Sequence, residues 1–109
     1  MIRIATVVAL ATCSAFPVLA KDPAKIVGTI KAFQCGDNCY LTIATAAGKE
    51  IVGLCVAKTC DPWNEATEIP KNLIGRGVSV TLGKGVQLSG EGESMGSFRS
   101  FTTVKLLPR

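Results

Sequence analysis

The chain has 109 residues, a formal net charge of +4 and no histidine. That length holds one domain, and the side chain most used for general base work and metal ligation is missing. The basic residues are scattered, which marks a solvated surface and not a tract for polyanions.

The first twenty residues read as a secretory signal peptide. Arg3 precedes an apolar run over residues 4–11 that only Thr6 interrupts, and Val18-Leu19-Ala20 offers a cleavage site. The run is short of the roughly 20 apolar residues a membrane span needs. Lipidation at Cys13 is the alternative, disfavoured by Thr12 before it and the few apolar residues upstream. Cleavage after Ala20 leaves residues 21–109 as a single domain. Arg3 and Cys13 go with the leader, which takes the net charge from +4 to +3 and the cysteines from five to four. An even cysteine count in an exported chain implies disulfides, which suit a domain too small for a large core. The short leader has a bacterial form, so a periplasmic or secreted location is expected.

Residues 26–34 (IVGTIKAFQ) are rich in β-branched and aromatic side chains and predict a first strand, with Gly28 as a bulge or bend. Gly36-Asp37-Asn38 is a turn. Residues 40–45 (YLTIAT) alternate, with Leu41 and Ile43 on one face and Tyr40 and Thr42 on the other. Residues 46–49 form a second turn, with Gly48 in the left-handed position. Residues 50–56 (EIVGLCV) predict a third strand with Val52, Leu54 and Val56 inward. Asp61-Pro62-Trp63 opens a helix, Asp61 as cap and Pro62 at its first position. Pro70 interrupts it, Leu73 and Ile74 pack inward, and Gly75 or Gly77 ends the segment. Residues 78–82 predict a fourth strand, continued by 86–88 past a Gly-Lys-Gly kink. Residues 89–97 (SGEGESMGS) read as a mobile loop and 98–107 as a last strand.

The fold class is therefore mainly β. Three strands, one short helix and two strands make a small five-stranded OB-like barrel stapled by disulfides. An SH3-like barrel or a β-sandwich is the alternative. In Ile26-Val27-Gly28-Thr29-Ile30, and in the run Leu73-Ile74-Gly75-Arg76-Gly77-Val78-Ser79-Val80-Thr81, the chain resembles the small exported OB-fold proteins of bacteria. That resemblance implies a binding role on the face of strands two and three and the loops beside it.

Four cysteines allow three pairings. If Leu41 faces Leu54, then Tyr40 faces Cys55, and Cys39 and Cys55 point to opposite faces. That disfavours a Cys39–Cys55 bridge and leaves Cys35–Cys39 with Cys55–Cys60 as the preferred scheme. Cys35–Cys60 with Cys39–Cys55 is second. A four-thiolate zinc site fits the spacing poorly, and no C-x-x-C redox pair is present. No metal or cofactor is expected.

Catalysis is not expected either. The carboxylates show no pairing, and the serines at 89, 94 and 97 have no base beside them. The expected function is a non-enzymatic exported module that contacts a protein partner in the cell envelope. An oligosaccharide, small-ligand or single-stranded nucleic-acid site on the OB-like face is the alternative. The five binding candidates are Lys31 and Phe33 on strand one, Tyr40 and Thr42 on the outer face, where Ile51 is also expected, and Trp63 at the helix start.

Overall fold

Five strands close on themselves in the order β1-β2-β3-β5-β4. They are β1 (Lys25–Cys35), β2 (Cys39–Thr45), β3 (Glu50–Cys55), β4 (Gly77–Leu88) and β5 (Ser94–Leu106), and a short helix α1 (Asp61–Ala66) lies between β3 and β4. The computed structural model describes residues 25–109, and the predicted leader lies outside the described residues. This is the OB-like barrel that the element order predicts. Among the described residues no helix is long and apolar enough to cross a membrane.

β1 closes the barrel by serving two partners. Gly28 stands opposite Thr45 of β2 and Val78 of β4. A Cβ there would run into the Ala44 carbonyl, so only glycine lets the strand bend this tightly. The ladder to β2 then slips between Ile30 and Ala32, which leaves Lys31 as an extra residue. The bulge returns Phe33 to the inner side, opposite Leu41, while Lys31 pairs with Glu50 outside at 3.1 Å. Lys31 and Phe33 therefore do not share a face, as simple alternation would have them.

The register of β2 on β3 also differs from expectation. Tyr40 faces Leu54, Leu41 faces Gly53, and Ile43 faces Ile51. The inner residues of β3 are thus Ile51, Gly53 and Cys55. Gly53 makes room for the Phe101 ring, which is fully buried at the barrel centre with Ile30, Leu41, Ile43, Val78 and Val80. Leu54 is buried too, but on the outer side, and Val56 is exposed. The turn takes in Thr45 as well as residues 46–49: Thr45 donates its N–H to the Lys49 carbonyl at 2.9 Å. Five residues therefore separate the last facing pair, Ala44 and Glu50, and that odd count moves the register by one.

The helix region plugs one end. Cys60 precedes α1, Asp61 takes its first position and Pro62 its second, so Asp61 supplies an acidic first turn and not a cap. Thr67 ends the helix in the left-handed region at φ 58°. Trp63 is 7% exposed and meets Phe33 edge to face, centroids 6.1 Å apart. Leu73 joins the core but Ile74, which leaves the 3-10 turn in extended backbone, is exposed, and Gly75 then turns the chain at φ 87°.

β4 and β5 run on past the barrel as a two-stranded arm. Beyond Thr81, among the described residues, β4 pairs with β5 alone. Thr102 is an extra residue between Thr81–Thr103 and Leu82–Phe101, and this bulge bends the arm. The predicted mobile loop over 89–97 is shorter than expected, because residues 94–97 already belong to β5. Only Ser89 to Glu93 form its turn, held by the Ser89 N–H on the Glu93 carbonyl at 2.8 Å and by Ser89 Oγ, which accepts from the Glu91 and Glu93 N–H groups.

Candidate functional site

The arm curls over the outer face of β2 and β3, the face on which OB-like barrels bind ligands. Tyr40 meets Phe98 of β5 edge to face at 5.8 Å, and Gln87 Nε2 donates to the Tyr40 hydroxyl at 2.6 Å. Leu54 is buried beneath the arm, against the buried Ser100 of β5 itself. A Cβ on Gly85 would lie 3.1 Å from both, so glycine is what lets the arm come this close. Thr42 is half-buried on the same outer face, opposite Val52.

The five sequence-derived candidates are therefore not gathered in one place. Phe33 and Trp63 touch each other inside the barrel end. Tyr40 and Thr42 share the outer face, and Tyr40 is engaged by the arm. Lys31 lies apart with Glu50. Ile51 packs against the core, not with Tyr40.

Both disulfides are local, Cys35–Cys39 and Cys55–Cys60. The pairing is the preferred one, although the observed register, Tyr40 on Leu54, differs from the expected Leu41 on Leu54. One step beyond Tyr40–Leu54 the ladder would set Cys39 opposite Cys55. Cys39 is instead drawn to Cys35 across the three-residue turn, and Cys55 to Cys60 through a turn of 3-10 helix over Lys58–Cys60. Cys55 and Cys60 are almost fully buried, while Cys35 and Cys39 are half-exposed.

Between the two bridges lies a cleft of about 320 Å³. Asp37, Asn38 and Cys39 form one wall, Cys55, Val56 and Asn64 the second, and Val86 and Leu88 of the arm the third. Asn64 Nδ2 donates to the Cys55 carbonyl at 2.9 Å, and its Oδ1 is buried without a partner among the described residues. Val56, Val86 and Leu88 are 52%, 53% and 43% exposed, so three aliphatic side chains meet water around one opening. Among the described residues no cation lines the cleft, and the turn bearing Glu91 and Glu93 abuts it: a Cβ on Gly90 would lie 3.4 Å from Asp37 Oδ1.

Sequence reading missed these cleft residues. Asn38 looks like an ordinary turn residue, and alternation places Val56 on the inner face. Val86 and Leu88 reach the site only because the arm folds back over fifty residues of chain. Nothing local announces that contact. Comparison with protein-family models, curated proteins and solved structures gives no match.

Proposed function

We propose that the chain is a non-enzymatic exported binding module that engages a protein partner in the cell envelope, through the cleft between its two disulfides. The convergence of Val56, Val86 and Leu88 on that cleft carries the reading, since aliphatic side chains concentrated at one rigid opening favour association. The occupant that fits is a polypeptide segment with an apolar side chain beside a basic one. The walls supply the apolar contact, and Asp37 with the Glu91–Glu93 turn supplies negative charge in a chain of positive net charge. The signal peptide read over residues 1–20 and the two local disulfides support a periplasmic or secreted location. An oligosaccharide or single-stranded nucleic acid on the β2–β3 face has less support, because Tyr40 is held by Phe98 and Gln87 and offers no free ring for stacking.

Photo-crosslinking tests the reading. A photoreactive residue replaces Val56 or Val86, and a control replaces Val27, exposed on β1. The oxidised chain is irradiated in periplasmic extract. A discrete protein adduct from positions 56 and 86, absent from 27, is expected. The purified partner should then lose at least about tenfold in affinity for Leu88→Asp. Equal adducts from all three positions, or none, would overturn the proposal.

A further inference from the structure

A second cavity, of about 560 Å³, opens at the base of the arm, lined by Leu82, Gly83, Lys84, Ser97, Phe98 and Arg99. Lys84 and Arg99 stand directly opposite each other on β4 and β5. Like charges in a facing pair destabilise a sheet, and among the described residues no carboxylate offsets them. Among the described residues the one ion pair is Lys31–Glu50, so neither cation has a carboxylate in reach.

Arg99 is held in place. Its Nε donates to the Val52 carbonyl at 2.8 Å, across the gap where the short β3–β5 ladder has opened. Its guanidinium carbon lies 5.9 Å from the centre of the Phe98 ring. The terminal nitrogens of this ordered group have no hydrogen-bond acceptor among the described residues. A fixed guanidinium with spare donors beside a flexible ammonium is suited to an oxyanion. Leu82 and the Phe98 ring supply apolar wall, with Gly83 and Ser97 completing the lining.

We infer that this cavity is an anion-binding site for a small molecule with a carboxylate, phosphate or sulfate head and a flat apolar body. The volume lies within the range of small-ligand clefts, roughly 300–1,000 Å³, and greatly exceeds what an inorganic ion fills. The surrounding charge argues for a compact ligand over a polyanion. A strand followed outward along the arm would meet Glu93 and Glu91, and one followed inward along β3 would meet Glu50. This site is separate from the cleft between the disulfides, and either can fail without the other.

The oxidised chain, residues 21–109, is titrated with naphthyl phosphate at low ionic strength, with amide NMR shifts as the readout. Naphthol, inorganic phosphate and a single-stranded oligothymidylate are run in parallel. Naphthyl phosphate is expected to bind with Kd below about 1 mM, moving amides at residues 82–84 and 97–99. Lys84→Gln should weaken it by about tenfold. Arg99→Lys, which keeps the charge but not the fork, should weaken it less than Arg99→Gln. Lys105→Gln, a charge outside the cavity lining, should leave affinity unchanged. Equal affinity for naphthol would overturn the anion requirement. Equal affinity for inorganic phosphate would overturn the apolar body. Tighter binding of the oligothymidylate, with shifts along the whole arm, would replace the small ligand by nucleic acid. An unmoved spectrum at about 1 mM probe would refute the site.

Discussion

Asn38 and Leu88, fifty residues apart, bond each other twice. Asn38 Nδ2 donates to the Leu88 carbonyl at 2.9 Å, and the Leu88 N–H donates to Asn38 Oδ1 at 3.0 Å. The side-chain amide thus acts as a strand partner for one residue of the arm. It ties the Cys35–Cys39 turn to the far end of β4 and sets the width of the cleft between them.

Asn38→Ala should release the arm tip without unfolding the barrel. Two hydrogen bonds are lost at a partly exposed site, worth about 1–2 kcal/mol together. Amide exchange at Leu88 should accelerate, while exchange at Val80 stays slow. Unchanged exchange at Leu88 would show that the arm is held by its packing on Leu54 and Tyr40 alone.

Gly85→Val tests that packing. A Cβ at residue 85 lies 3.1 Å from Leu54 Cδ1 and from Ser100 Cβ, so the branched side chain must lift the arm or displace Leu54. Urea unfolding should show a loss of about 1–3 kcal/mol. Gly90→Ala, 3.4 Å from Asp37 Oδ1 at an exposed turn, should cost far less.

The two bridges should differ in value. Each closes a loop of similar size, worth about 2 kcal/mol on chain entropy. Cys55→Ala with Cys60→Ala also leaves unfilled space among buried neighbours, because both residues belong to the core. Cys35→Ala with Cys39→Ala does so far less. Denaturant midpoints of the two double variants should rank in that order. Intact protein should be lighter than its reduced form by four hydrogens.

Trp63 and Tyr40 should separate as core and surface. Trp63→Ala removes the ring that closes the barrel end on Phe33 and should cost about 3–5 kcal/mol. Tyr40→Phe keeps the contact with Phe98 and loses only the Gln87 hydrogen bond, about 0.5–1.5 kcal/mol. Thermal unfolding with near-UV circular dichroism reads both. A Trp63→Ala variant as stable as wild type would return that residue to the surface.

Element order and bridge pairing were legible in the sequence because both are written locally. Alternation marks β2, Pro62 marks the helix start, and each cysteine has its partner within five residues. The register of β2 on β3 depends on whether Thr45 belongs to the strand or the turn, and apolar alternation does not decide it. The bulge at Lys31 is equally silent, since Ala32 and Phe33 read well in either phase. The arm hid behind its glycines. Gly83 and Gly85 looked like a kink, yet they are where the chain must lack side chains to lie against Thr102, Leu54 and Ser100. The cleft and the cationic cavity both depend on this arm, so neither was readable before the fold was known.

The shortness of both bridges also bears on how the protein matures. Cysteines four and five residues apart meet far more often in an unfolded chain than those about twenty apart. The native pairs are thus the kinetically favoured ones, and oxidation should yield them before the sheet forms. Neither bridge links distant segments, so a chain oxidised early keeps nearly all its freedom to fold. A disulfide-forming oxidant should then suffice, with no isomerase to sort wrong pairings, and the slow step left is bringing β1 and β4 together across fifty residues.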